Sequence, residues 1–201
     1  MRDYERLDSF LDERLGDIYP EPMGQMHISI IEQMIPDIIN HYEIQPGAKV
    51  LDVGCGHGLA LQVFRDAGCQ PIGVGFGGEA EKSRAEGFEI EETDMSFLDF
   101  PDQTFDIVWC RHVLEHSIFP FFTLRQMFRI LKTGGVFYME VPAPGTSCKH
   151  EANPNHYSVL GKEMWVSLLQ RTGYETIRQK DLAFEVPAGP DVYYSFDSRK
   201  A

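Results

Sequence analysis

One stretch constrains this chain more than any other: Val50-Leu51-Asp52-Val53-Gly54-Cys55-Gly56-His57-Gly58. An apolar run ends in three glycines at alternate positions, and helical spacing follows. The pattern predicts a buried strand, a tight turn whose backbone comes close to a ligand, and a helix N-terminus. Glycine suits the turn because it lacks a Cβ and takes positive φ freely. The helix start offers unpaired N–H groups and partial positive charge to an anionic group.

Around this turn the pattern alternates. Two amphipathic helices come first, over residues 3–16 and 24–42, with Pro36 a candidate kink in the second. Strands are then expected at 49–53, 70–74, 88–91, 105–110 and 136–141, and helices at 59–67, 79–86, 121–131 and 161–172. Residues 105–110 are nearly all apolar, which predicts a central strand. Residues 174–180 and 192–199 read as two closing strands with no helix between them. Such alternation predicts an α/β fold, a Rossmann-like doubly wound, mostly parallel sheet with helices on both faces. The closing pair predicts an antiparallel edge.

Composition narrows the partners. The 201 residues are 43% hydrophobic and 24% charged, enough for one domain with a real core. The formal net charge of −13 repels phosphate backbones, and Arg125, Arg129 and Lys132 make only a short basic run, so no nucleic-acid partner is expected. No apolar run is long enough to span a bilayer, and the charged N-terminus lacks a signal core. Cys55, Cys69, Cys110 and Cys148 are irregularly spaced with no C-x-x-C pair, as expected of reduced thiols in a cytoplasmic protein.

In an open parallel sheet, ligands sit beyond the carboxyl ends of the strands at the switch point, which puts the first glycine turn at the site. Its spacing is G-x-G-x-G, where a dinucleotide fold wants G-x-G-x-x-G. With Leu51-Asp52-Val53 before it, the turn resembles motif I of class I S-adenosylmethionine-dependent methyltransferases. The likeness continues through residues 100–109 (FPDQTFDIVW), Val113-Leu114-Glu115-His116 and residues 129–135 (RILKTGG), and covers roughly residues 46–142.

This resemblance, closest to the small-molecule branch, implies seven strands with the last antiparallel. It implies helices capping the site over residues 1–45 and a methyltransferase domain over 46–201, as a monomer or homodimer. S-adenosylmethionine is the implied cofactor and S-adenosylhomocysteine its product. The backbone of Gly54, Cys55, Gly56 and Gly58 is expected to hold the amino-acid end, with Asp52 near its ammonium. Asp94 and Met95 are placed at the adenine, and the backbone of Cys110 and Arg111 along the methionine side.

One position departs from the family. At the end of strand two, where an acid usually accepts both ribose hydroxyls, this chain has Gly75. Phe76 remains to stack under the adenine. Glu79, water or backbone would have to replace the acid; otherwise the cofactor is held weakly or not at all, and the fold serves as a binding or regulatory protein. The same segment spells G-x-G-x-x-G at Gly73, Gly75 and Gly78, which keeps a nicotinamide dinucleotide as an alternative.

The expected reaction is methyl transfer to an oxygen or nitrogen of a small-molecule acceptor. An alcohol or phenol needs a base near neutral pKa, a role for His116 or His156. The polar loop after strand five supplies His150, Asn155 and Tyr157 as substrate contacts, and Tyr19 and His27 are expected to cover the same pocket. His112 to His116 also spells the inverted zinc-protease motif H-x-x-E-H, but Pro120 follows too soon for the long helix that motif needs. With His116, the loop could bind a metal through His150 and His156, but two histidines six apart in a loop are a weak signal, so no metal is expected.

Overall fold

The computed structural model describes residues 4–15 and 24–201, with the side chain of Leu15 left aside. Among these residues seven strands form a single sheet: β1 Lys49–Val53, β2 Gln70–Val74, β3 Glu89–Glu91, β4 Phe105–Arg111, β5 Leu131–Pro142, β6 Tyr174–Val186 and β7 Gly189–Lys200. The helices are α1 Glu5–Leu15, α2 Gln25–His41, α3 Leu59–Asp66, α4 Gly77–Ala85, α5 Pro120–Ile130 and α6 Lys162–Thr172. Strand order is 3-2-1-4-5-7-6, and only β7 runs antiparallel to its neighbours. This is the expected sheet, with the closing hairpin as its antiparallel edge.

The central strands are apolar on both faces, and their two-residue period sorts each face into its own core. Leu51, Val53, Val108, Cys110, Phe137 and Met139 pack with Leu124 and Met127 of α5 and Trp165 and Leu169 of α6. Val50, Ile107, Trp109, Val136 and Tyr138 face the other way, against Ile35 and Ile38 of α2 and Ala60 and Phe64 of α3. The indole of Trp109 stacks on the ring of Tyr138 at 4.2 Å. Helix α2 is thus a constituent of the core: Ile35 and Ile38 are wholly buried. It runs unbroken through Pro36, which lies on its path. Pro120 opens α5, where its missing N–H has no intrahelical partner to lose.

Several element ends differ from the sequence expectation: β5 begins at Leu131 rather than 136, and α4 at Gly77 rather than 79. Strands β6 and β7 meet at residues 186–189, so the hairpin extends well past 180 and starts before 192. The long loop after β5 contains a one-turn 3₁₀ helix, His150–Ala152. Another, Leu114–His116, follows β4. No helix among the described residues is long and apolar enough to cross a membrane, and the four cysteines are free thiols.

Candidate active site

The chain reverses its winding direction at β1, which has β2 on one side and β4 on the other. Outside the carboxyl ends of these strands lies a cavity of about 280 Å³, close to the lower end of the roughly 300–1,000 Å³ of small-molecule sites. The turn after β1 forms its floor with Val53, Gly54 and Gly56; Val74, Gly75 and Phe76 form one wall, and His112, Val113, His116 and Ser117 the opposite one. Thr93 to Ser96, Asn155 and Tyr157 close the sides, and Leu11 and Arg14 of α1 border the opening.

The glycine turn is drawn against β2. The N–H groups of Gly54 and Cys55 both donate to the Val74 carbonyl, at 2.8 and 2.9 Å, and the Gly58 N–H donates to Cys55 O. A Cβ on Gly54, at φ +75°, would lie 2.2 Å from Val113 Cγ2, so only glycine fits between β1 and the segment after β4. Because those three N–H groups are occupied, Gly56 and His57 are the turn residues whose N–H has no backbone acceptor among the described residues.

Gly75 lies at the end of β2 as expected, and the structure shows what occupies the place of a side chain there. A Cβ on Gly75 would sit 3.1 Å from Cys55 Sγ. Glu79, in the first turn of α4, reaches back over the glycine turn. Its Oε1 is 3.0 Å from His57 Nε2, and its Oε2 would be 3.4 Å from a Cβ on Gly56. The cavity wall therefore carries a carboxylate beside the glycine turn, supplied by a helix where a strand end was expected to supply it.

The remaining cofactor candidates divide. Asp94 and Met95 line the cavity, and Asp94 Oδ1 also accepts the Ser96 N–H at 2.6 Å, tying the loop into a turn. Asp52 is buried beneath the turn; burial pushes its carboxyl up to about 8, opposed by the Arg111 charge. The side chains of Cys55 and Cys110 are core, their thiols raised by burial, Cys55 to about 12. Gly58 is the left-handed N-cap of α3, behind the cavity wall. Arg111 points away: its Nε is 2.8 Å from Glu140 Oε1, and a terminal nitrogen is 3.0 Å from His27 Nδ1.

His112, weighed in the sequence only as the first residue of H-x-x-E-H, lines the cavity wall beside the Arg111 backbone. A left-handed backbone (φ 53°) turns it there. Burial opposes its charge, but Glu115 Oε1 at 3.3 Å from Nδ1 and Glu140 Oε1 at 3.0 Å from Nε2 prevail, holding the imidazolium to about 9. No local sequence signal announces the positive φ that presents it.

The acid–base candidates also divide. His116 lines the cavity, and its Nδ1 is 2.9 Å from Asn155 O. That carbonyl can only accept, so Nδ1 carries the proton and Nε2 the lone pair. His156 stands behind it, ring perpendicular at 4.7 Å, outside the cavity lining. His150 is held by both oxygens of Asp191 at 3.0 Å, and His27 stacks on Tyr193, so neither lines the cavity. Tyr19 lies outside the described residues. Buried hydroxyls hold the walls in register: Thr123 Oγ1 is within 2.8 Å of both Ser96 Oγ and Ser117 Oγ, and Ser158 Oγ donates to Ser117 O at 2.7 Å.

A 3-2-1-4-5-7-6 sheet with β7 alone reversed, and a ligand cavity over the β1 turn, has the architecture of class I S-adenosylmethionine-dependent methyltransferases. A family model described as a methyltransferase domain matches residues 27–181, and the chain belongs to that family. A sterol 24-C-methyltransferase of Yarrowia lipolytica is 32% identical over 175 residues, spanning 75% of this chain and 45% of its own length. A ubiquinone biosynthesis O-methyltransferase of Pseudomonas fluorescens is 31% identical over 137 residues, spanning 62% of this chain and 55% of its own. The chain thus spans about half the length of these curated relatives. Among solved structures, the [4+2]-cyclase SpnF superposes with a TM-score of 0.71 at 19% identity, over 98% of this chain and 94% of that one. At that identity the likeness concerns the fold.

Proposed function

We propose that this protein binds S-adenosylmethionine in the switch-point cavity and transfers its methyl group to an oxygen or nitrogen of a small-molecule acceptor, releasing S-adenosylhomocysteine. The observation that carries the reading is the Glu79 carboxylate, which stands beside the glycine turn where the family's strand-end acid is missing. The donor set fits the cofactor. Glu79 would accept the ribose hydroxyls, Gly56 and His57 N–H groups would face the carboxylate, and Asp94 the adenine amino group; Asp52, expected at the ammonium, lies beneath the turn outside the cavity lining.

The bound sulfonium supplies an electrophilic methyl group. The chain's own task is alignment, exclusion of water and removal of a proton from a hydroxyl acceptor. His116 Nε2 is the lone pair on the cavity wall suited to that removal, and Asn155 O fixes its tautomer. His156 buttresses the His116 ring. Asn155 and Tyr157 are the acceptor contacts. Four free thiols and the acidic surface suit a cytoplasmic enzyme acting on a small molecule, as monomer or homodimer.

Gly75 supports a second reading, a methyltransferase fold without methyl transfer, and the SpnF likeness illustrates how one architecture can serve another named reaction. Calorimetry separates the two. Low-micromolar binding of S-adenosylhomocysteine is expected. Binding no tighter than millimolar would overturn the transferase reading, and protection by a nicotinamide dinucleotide instead would establish the other cofactor.

A further inference from the structure

The glycine turn crowds the strand end where an acid would otherwise stand. The buried Cys55 thiol fills that space: its Sγ would lie 3.1 Å from a Cβ on Gly75 and 2.7 Å from one on Gly73. The carboxylate comes from α4 instead, and α4 is fastened to the turn on one face. Glu79 and Ser83 are four residues apart in the helix, so their side chains lie on the same side of it. Ser83, wholly buried, donates its hydroxyl to Gly56 O at 3.1 Å. A Cβ on Gly58 would stand 2.8 Å from Ser83 Oγ, so the third glycine of the turn lets the helix come this close.

One helical turn before Ser83, Glu79 Oε1 is in ionic contact with His57 Nε2 at 3.0 Å. The backbone on either side of His57 is pinned. Gly56 O accepts from Ser83, and the Gly58 N–H donates to Cys55 O at 2.8 Å. The imidazole thus stands on a fixed mount, while Glu79 is a long side chain with rotamer freedom to lose. As a source of stability the pair counts for little, because the two side chains are 44% and 31% exposed. Its effect is directional. With Oε1 drawn to His57, Oε2 lies over the glycine turn, 3.4 Å from the place of a Cβ on Gly56. Glu79 and Gly56 both line the cavity, and His57 does not.

We propose that His57 is a positioning residue: it holds Glu79 in the rotamer that presents the carboxylate to the two neighbouring hydroxyls of a ribose. Cys55, His57 and Glu79 then form one substitute for the acid absent at Gly75. The inference rests on the transferase reading for the identity of the ligand. His57 makes no side-chain contact with that ligand. It acts by ordering Glu79 before binding, so that less rotamer freedom is lost when the hydroxyls arrive. Two other roles would look different: a brace for the turn would affect every ligand of the site, and a direct contact with the ligand would not need Glu79.

The test is calorimetry on the whole chain with two ligands, S-adenosylhomocysteine and its analogue lacking both ribose hydroxyls. The unsubstituted protein is expected to prefer the first. His57→Ala is expected to weaken S-adenosylhomocysteine about fivefold, the upper range for an exposed ion pair, and to leave the analogue nearly unaffected. Its backbone lies outside the left-handed region and its side chain is partly exposed, so circular dichroism and Tm should be unchanged. In a Glu79→Ala background, adding His57→Ala is expected to change affinity by less than about twofold. Equal weakening of both ligands overturns the proposal and makes His57 a brace of the turn. A further loss in the Glu79→Ala background overturns it too and makes His57 a direct contact. A preference that vanishes in Glu79→Ala but survives in His57→Ala removes this inference and leaves the transferase reading standing. Failure of the unsubstituted protein to bind S-adenosylhomocysteine overturns both together.

Discussion

Under the proposed function, Glu79 is the residue on which the hold on the cofactor turns. If Glu79 accepts two ribose hydroxyls, each charge-assisted bond is worth about 1.5–3 kcal/mol. Glu79→Ala is then expected to weaken S-adenosylhomocysteine binding about 100-fold or more, and Glu79→Gln by less, as read by calorimetry. Unchanged affinity in Glu79→Ala would remove this carboxylate from the ribose. Asp52 makes a separate prediction. Its folded-state pKa, about 8, lies above the ordinary 3.8 because of burial. The folded protein therefore holds a proton that the unfolded chain has released. The stabilisation is complete below the unfolded value and is lost as pH rises through about 8. Asp52→Asn should flatten the fall in Tm between about pH 5 and about pH 8; an unaltered slope would assign the fall to other groups. The departure at Gly75 was readable from its neighbours in sequence. That Cys55 packs its thiol there was not, because which way a turn side chain points depends on the strand it is drawn against.

At the scale of elements, legibility followed burial. Strands β1 and β2 have the ends their sequences predict, since apolar runs are cut off by glycine and a turn. Strand β6 was read short because it lies at the sheet edge with alternate residues exposed, so its polar half resembles a loop. The two N-terminal helices look alike in sequence but make different contributions. Ile38 of α2 is wholly buried against the sheet, so Ile38→Ala should cost about 2–5 kcal/mol in chemical denaturation. Helix α1 meets the cavity through Leu11 and Arg14, and none of its described side chains belongs to the two large cores. Leu11→Ala should leave that midpoint within about 0.5 kcal/mol while weakening ligand binding. A large loss of stability in Leu11→Ala would make α1 part of the core instead.

At the scale of the molecule, charge and topology act on the same ligand. The chain carries a formal net charge of −13, and its switch-point cavity is bordered by Glu79 and Asp94. S-adenosylmethionine carries a sulfonium, an ammonium and a carboxylate, hence one net positive charge; S-adenosylhomocysteine has lost the sulfonium charge and is neutral. The field of an acidic protein focused in a cleft attracts the first and is nearly indifferent to the second. Salt shortens that field, from a reach of about 10 Å at 0.1 M to about 3 Å at 1 M. Raising ionic strength should therefore weaken binding of the methyl donor several-fold while the product's affinity stays nearly flat, so the preference for donor over product shrinks. Calorimetric titrations of both ligands across that salt range read the difference directly. Equal salt dependence for the two would mean that the acidic surface has no part in selecting the charged donor, and would leave recognition to the short-range contacts of the glycine turn and Glu79.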